Sequence, residues 1–178
     1  DETLRGKRDR ALLLFAWASG GRRRSEVAGA DLAFLKRLGP SEFLYTLAYS
    51  KSNQAAIDQP DNTKPILGVA GVALDEWLRV SRITTGRIFR RIRKGGHLGE
   101  ALSPAAVRAI VKTRCDLAGI EGDFSAHSLR SGFVTEAGKQ DVSLAETMSL
   151  TGHHSVATVL GYFRSGTVAS SRAGRLVD

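Results

Sequence analysis

Near the end of this 178-residue chain stand His127-Ser128-Leu129-Arg130, then Gly152-His153, then Tyr162 nine residues beyond His153. A second basic group, Gly21-Arg22-Arg23-Arg24-Ser25-Glu26, lies far upstream. These residue types suit one difficult reaction, cleavage of a phosphodiester without a metal. The anionic oxygens must be neutralised, a nucleophile activated and the leaving oxygen protonated. Arginine stays charged and its planar fork pairs with two phosphate oxygens at once. Histidine handles protons near neutral pH. A tyrosine hydroxyl titrates near ~10, so adjacent positive charge is needed to favour its phenolate. The i,i+3 spacing of His127 and Arg130 puts both on one helix face. Each element alone is a weak signal. The order and spacing of the whole set carry the reading.

The groups need a scaffold that brings residues 21–26 against residues 127–162. Residues 7–19 have a broad apolar helical face closed by Gly20-Gly21. Ser25 can cap a short second helix reaching about Ala30. Residues 43–49 are rich in aromatic and β-forming types, and Ser50-Lys51-Ser52-Asn53 has turn chemistry. A hairpin returning through residues 55–57 is expected there. Residues 58–65 read as a loop and 65–69 as a third strand. Residues 69–81 are amphipathic and read as a helix. Residues 88–92 read as strand or extended chain, and Gly95-Gly96-His97-Leu98-Gly99 as a loop with no role for His97. Ser103-Pro104 opens a helix reaching about Ala118. Residues 127–138, 143–150 and 155–162 read as three more helices, and 168–177 as a last one. The expected class is mostly α with a small antiparallel β-sheet, α+β.

Composition is that of a globular chain, 42% hydrophobic and 25% charged. Lys and Arg number 26 against 18 Asp and Glu, for a net charge of +8. That excess favours polyanions, because bound cations release the counterions condensed on nucleic acid. The single cysteine, Cys115, cannot form an internal disulfide, which points to a reducing compartment, and its helical setting points to a structural thiol. No metal-ligand spacing occurs. The longest apolar run, residues 11–18, is far below the ~20 residues that cross a bilayer. The chain begins at Asp1 on a charged stretch, which suggests a fragment of a longer protein.

Taken together, three boxes resemble those of the tyrosine recombinases, the phage integrase family. They are Ser19-Gly20-Gly21-Arg22-Arg23-Arg24-Ser25-Glu26, the His127-x-x-Arg130 box, and residues 150–162 ending in the tyrosine. The match covers residues 6–164, and the ending, Tyr162-Phe163-Arg164 with 172–178, looks most like the Cre branch. The resemblance implies that Arg23 and Arg130 clamp the scissile phosphate. Tyr162 would attack it, giving a 3′-phosphotyrosine and a free 5′-hydroxyl. His127 would handle the tyrosine proton and His153 would hydrogen-bond the phosphate. Lys51 would protonate the leaving 5′ oxygen, with Lys64 as the rival lysine, and Glu26 would support the site. Arg22 stands where the family usually has an apolar residue, so the register of the three arginines rests on Gly21 and Ser25-Glu26. His154 is read as an exposed polar residue.

The resemblance further implies residues 1–164 as a catalytic domain acting on double-stranded DNA. Residues 165–178 would be a docking tail linking a homotetramer on DNA. An N-terminal core-binding domain has no counterpart in this chain. No metal, cofactor or membrane is implied, and the setting is the prokaryotic cytoplasm at the nucleoid. Two alternatives stay open: a type IB topoisomerase-like enzyme, and a noncatalytic DNA-binding regulator.

Overall fold

In a computed structural model of the chain, residues 1–47, 62–153 and 155–167 are described. The expected hairpin turn with Lys51, the residue His154 and the tail from residue 168 lie outside them. The architecture is α+β, with seven α-helices among the described residues and two small antiparallel sheets.

Helix α1 (Leu4–Ala18) starts where the Thr3 side chain accepts from the Gly6 N–H. It packs on α3 (Gly68–Ser81). Phe15 is fully buried and meets Tyr45 and Phe89 edge-on, with centroids 5.0 and 5.5 Å away. Trp77 of α3 is also fully buried, and its indole N–H donates to Ile88 O. These side chains centre the main core, which takes Phe43 and Ile66 from the first sheet.

That sheet runs β1 (Leu35–Gly39), β2 (Glu42–Thr46), β3 (Thr63–Ile66), in that order. The strand expected at residues 43–49 is β2. The expected third strand sits slightly earlier, as β3. Pro65 is tolerated because β3 is an edge strand within the described sheet. Strand β1 had no sequence expectation: its inner residues Lys36, Arg37 and Leu38 are all exposed, so no apolar alternation marks it. The second sheet pairs β4 (Arg90–Ile92) with β5 (Leu98–Ala101). The loop expected at residues 95–99 is shorter than that. Gly95 and Gly96, at φ 85 and 82, make the turn, and the chain becomes strand from Leu98.

Helix α4 (Pro104–Leu117) begins with Ser103 as cap, and Cys115 on it is half-buried. Asp9 is buried between α1 and α4, held by Arg8 and by Arg114 at 2.8 Å. The last three described helices are α5 (Ala126–Lys139), α6 (Leu144–Thr151) and α7 (Val156–Thr167). Helix α5 packs chiefly on α7, where Val134 and Val159 are fully buried. Trp17 against Phe133 ties α5 back to α1. Gly152-His153 lies between α6 and α7. Gly152 is the left-handed C-cap of α6, at φ 67, and His153 sits in the turn before α7. Among the described residues no helix is long and apolar enough to cross a membrane.

Candidate active site

The α1–α2 turn is pressed into the helices that carry the histidines. Gly20 and Gly21 have φ of 91 and 69, a region that glycine enters without strain. Space demands glycine as well. A Cβ on Gly21 would lie 2.3 Å from Arg130 Cα, and one on Gly20 would lie 2.4 Å from Leu150 O. The turn therefore touches the backbones of α5 and α6 directly, which sets residues 22–26 beside Arg130 and His153.

The three consecutive arginines part company here. The Arg22 side chain is 3% exposed, and its guanidinium donates to Leu150 O at 2.6 Å. Its Nε is buried without a partner. The side chain of Arg23 is 43% exposed and lines a cavity of about 580 Å³. Arg23 is also the N-cap of α2 (Arg24–Ala28), and its backbone N–H donates to the Glu26 carboxylate at 2.9 Å. That is half of a capping box, since a guanidinium has no acceptor to return the bond. Glu26 is buried and lies 3.4 Å from the Arg23 guanidinium and 3.8 Å from that of Arg22. One carboxylate thus holds both arginines.

Arg130, His153 and His127 line the same cavity. Arg130 is buried on α5, and its Nε–H donates to His153 Nε2 at 3.3 Å. Burial, then the charges of Arg22 and Arg23, pull the Arg130 guanidinium down to about 10, so it remains cationic at neutral pH. Burial comes first for His153 too, followed by Arg130, Arg23, Arg22 and His127, and together they lower it to about 4. It is therefore neutral at pH 7. The other ring nitrogen, Nδ1, lies 2.7 Å from Thr151 Oγ1.

His127 is exposed in the first turn of α5, and its backbone N–H donates to the Ser125 hydroxyl. Ser125 also lines the cavity, so the N-terminus of α5 faces the space where an anion would sit. The Tyr162 ring, on α7, stands edge-on to the His127 ring with centroids 6.4 Å apart. Tyr162 is 43% exposed, beside the cavity rather than among its lining residues. Helix α7 continues past it to Thr167, so the tyrosine lies in mid-helix. The Thr135 hydroxyl of α5 donates to Tyr162 O at 3.3 Å and holds the two helices together there.

Of the residues read from the sequence, Arg23, His127, Arg130 and His153 share one cavity, Glu26 holds the first of them and Tyr162 borders it. Lys51 lies outside the described residues. Its rival Lys64 is 1% exposed, and its ammonium donates to Ser149 O, away from the cavity lining. Sequence reasoning missed what Arg22, Lys64 and Thr151 do. Arg22 and Lys64 bind neighbouring carbonyls in the last turn of α6, groups with no partner inside the helix. The available signal was Arg22 itself, a cation at an otherwise apolar position. Among the described residues no three His, Cys, Asp or Glu side chains gather as a metal-ligand set.

Comparison with known proteins places the chain in a family. The model of the phage integrase family matches residues 2–167. An integrase/recombinase XerD homolog of Selenomonas ruminantium is 34% identical over 97% of this chain and 52% of its own length. The tyrosine recombinase XerC of Herpetosiphon aurantiacus is 29% identical over 88% of this chain and 48% of its own. The chain thus spans about half the length of these curated relatives. Among solved structures, a XerH site-specific recombinase bound to a palindromic difH substrate superposes with a TM-score of 0.70. The overlap covers 99% of this chain and 48% of that one at 18% identity, a likeness of fold. These relatives carry Xer names. The likeness to the Cre branch rests partly on residues 172–178, outside the described residues.

Proposed function

The chain belongs to the phage integrase family, and from that membership we propose that it is the catalytic domain of a tyrosine-type site-specific DNA recombinase. The observation that carries this reading is the convergence of Arg23, Arg130, His153 and His127 on one cavity, with the Tyr162 ring beside His127. Arg23 and Arg130 bind the nonbridging oxygens of the scissile phosphate, and Glu26 aims Arg23. The phenolic oxygen of Tyr162 attacks phosphorus and the 5′ oxygen leaves. The products are a 3′-phosphotyrosine and a free 5′-hydroxyl. His127 takes the phenolic proton. The His127 ring stands edge-on to the Tyr162 ring, with centroids 6.4 Å apart, which sets the base beside the phenol it serves. His153 hydrogen-bonds the phosphate, and Lys51 protonates the departing 5′ oxygen.

The phosphotyrosine conserves the energy of the broken bond, so rejoining by a partner strand's 5′-hydroxyl needs no ATP. The partner is double-stranded DNA, for which the net charge of +8 is suited. Residues 1–164 form the catalytic domain, and residues 165–178 dock on a neighbouring copy in a tetramer on DNA. A core-binding domain outside this chain supplies the rest of the grip. The setting is the prokaryotic cytoplasm, at the nucleoid.

The test is adduct formation on a nicked suicide substrate. The wild-type chain should yield a protein–DNA adduct that survives SDS, and Tyr162→Phe should yield none while still binding DNA. An adduct with Tyr162→Phe removes the tyrosine as nucleophile. Binding without any wild-type adduct favours a noncatalytic regulator. Supercoil relaxation without exchange between paired target sites favours topoisomerase-like chemistry.

A further inference from the structure

The hydrogen bonds around His153 admit one arrangement of protons. Arg130 Nε carries a hydrogen that points at His153 Nε2, so Nε2 must present a lone pair. A proton on Nε2 would set two N–H groups against each other. The neutral ring therefore carries its proton on Nδ1, which donates to Thr151 Oγ1 at 2.7 Å. Thr151 can only accept from it, because the single hydroxyl hydrogen is directed to Thr147 O at 2.8 Å. Thr151 is 1% exposed on the last turn of α6, where no water competes for these bonds. That turn is itself held by Arg22 on Leu150 O and Lys64 on Ser149 O.

The lone pair on Nε2 faces a cavity built for an anion. An oxyanion beside Arg130 would meet electron density at His153 and not a donor. The ring becomes a donor there once the oxyanion draws the Arg130 Nε–H to itself and Nε2 takes a proton from solvent, while Nδ1–H stays on Thr151. We propose that Thr151 is a positioning residue that, together with the Arg130 Nε–H, fixes the tautomer of His153, so that an oxyanion enters this cavity together with one proton. The inference rests on reading the cavity as a phosphate site. The groups facing His153 are Arg130 and His127 on α5 and Arg22 and Arg23 on the α1–α2 turn. Glu26 is paired to both of those last two arginines, and Arg108 and Asp123 line the same cavity. Burial first, and then the surrounding cations, keep the empty site's ring neutral. A bound anion offsets the cations and favours the added proton against the burial that remains.

The measurement is nitrogen-15 NMR of the histidine rings in the 178-residue chain, free and with sulfate, an anion that does not titrate near neutrality. In the free protein His153 should show an unprotonated Nε2 and a protonated Nδ1. With saturating sulfate both nitrogens should be protonated. Sulfate affinity should rise by up to about tenfold for each pH unit lowered. Thr151→Val removes the acceptor at nearly constant shape. It should raise the share of the Nε2–H tautomer in the free protein, which Arg130 alone then opposes, and flatten the pH dependence of sulfate binding, and Thr151→Ser should restore both. A free wild-type protein with the proton on Nε2 overturns the proposal, as does sulfate bound with His153 neutral. A Thr151→Val variant with the wild-type tautomer overturns it equally. The wild-type spectra suffice if the valine variant does not fold. No DNA is needed, so the tautomer stands or falls separately from adduct formation.

Discussion

Arg22 and Arg23 are neighbours in sequence and opposites in environment. The first is enclosed and fastened to the α6 backbone; the second opens onto the cavity. The same contrast divides the whole site. On its inner side, Gly20 and Gly21 touch backbone, Arg22 and Lys64 bind helix carbonyls, and Glu26 is buried beneath two guanidinium groups. On its outer side, His127 and Tyr162 are exposed and meet only edge-on at 6.4 Å. The half proposed to bind phosphate is therefore organised before any ligand arrives, where fixed charges are worth most. The proposed nucleophile, Tyr162, stands beside it. Charge at a site can be part of the frame or part of the chemistry; Arg130 is buried yet lines the cavity, so what a cation reaches tells them apart where burial alone does not.

The contrast is broken most severely at the frame. Gly21→Val combines a positive φ with a Cβ 2.3 Å from Arg130 Cα, so α5 and the turn must separate. We expect a loss of about 4 kcal/mol or more in denaturant unfolding, by the mechanisms of overpacking and backbone strain. A variant that unfolds like wild type would mean that the turn is not pressed on α5. Arg23→Gln should do the reverse. On the proposed function it removes one phosphate clamp from a partly exposed position, so adduct formation should slow by roughly 10²–10³. Unfolding should shift by less than about 0.5 kcal/mol. Equal loss of stability and rate would assign Arg23 to the frame.

Arg22→Met is the matching variant on the enclosed side. It leaves Leu150 O without its donor, at a cost of about 1–3 kcal/mol. It also removes a buried Nε that has no partner, which offsets part of that cost. A net loss of about 1–2 kcal/mol in urea unfolding is expected. If adduct formation fell further than stability accounts for, Arg22 would belong to the chemistry.

The sequence made the outer side more legible than the inner. His127, Arg130, His153 and Tyr162 are read from residue type and spacing, because chemistry restricts which side chains can serve. The frame depends on approach distances and on which carbonyl a cation reaches, and those are properties of packing. Lys64 shows the difference. It is a plausible catalytic lysine by sequence, yet it lies buried against Ser149 O. The fold divides similarly. Ser103, read as a helix start, does cap α4, whereas α1 starts at Leu4 behind Thr3, earlier than the residue 7 expected, and α2 is capped at Arg23 and not at Ser25, which lies inside it. Strands β1 and β5 escaped notice because neither buries an alternating apolar face. Gly152 is a left-handed cap ending α6, the end of a helix where glycine is most favoured.

The smallest effect lies at the junction of the two sides, in the pH dependence of folding. His153 is lowered to about 4 in the folded chain, against an ordinary value of 6.5. Between those values the unfolded chain binds the proton and the folded chain does not. Stability from this residue is therefore complete above pH 6.5 and is lost as pH falls toward 4, with no further change below. His153 is partly exposed, so solvent screening reduces the effect to about 1 kcal/mol, or roughly 2–4 °C in Tm. Calorimetry across that interval should show the decline in wild type. His153→Gln, which cannot titrate, should flatten it by that amount while other groups keep their slope. Saturating sulfate should act on the same window from the opposite side, because a protonated His153 is then the bound form. The decline should shrink in the wild type with sulfate present and stay unchanged in His153→Gln. If sulfate left the wild-type slope intact, the anion would be held by the arginines alone, and His153 would count among the frame.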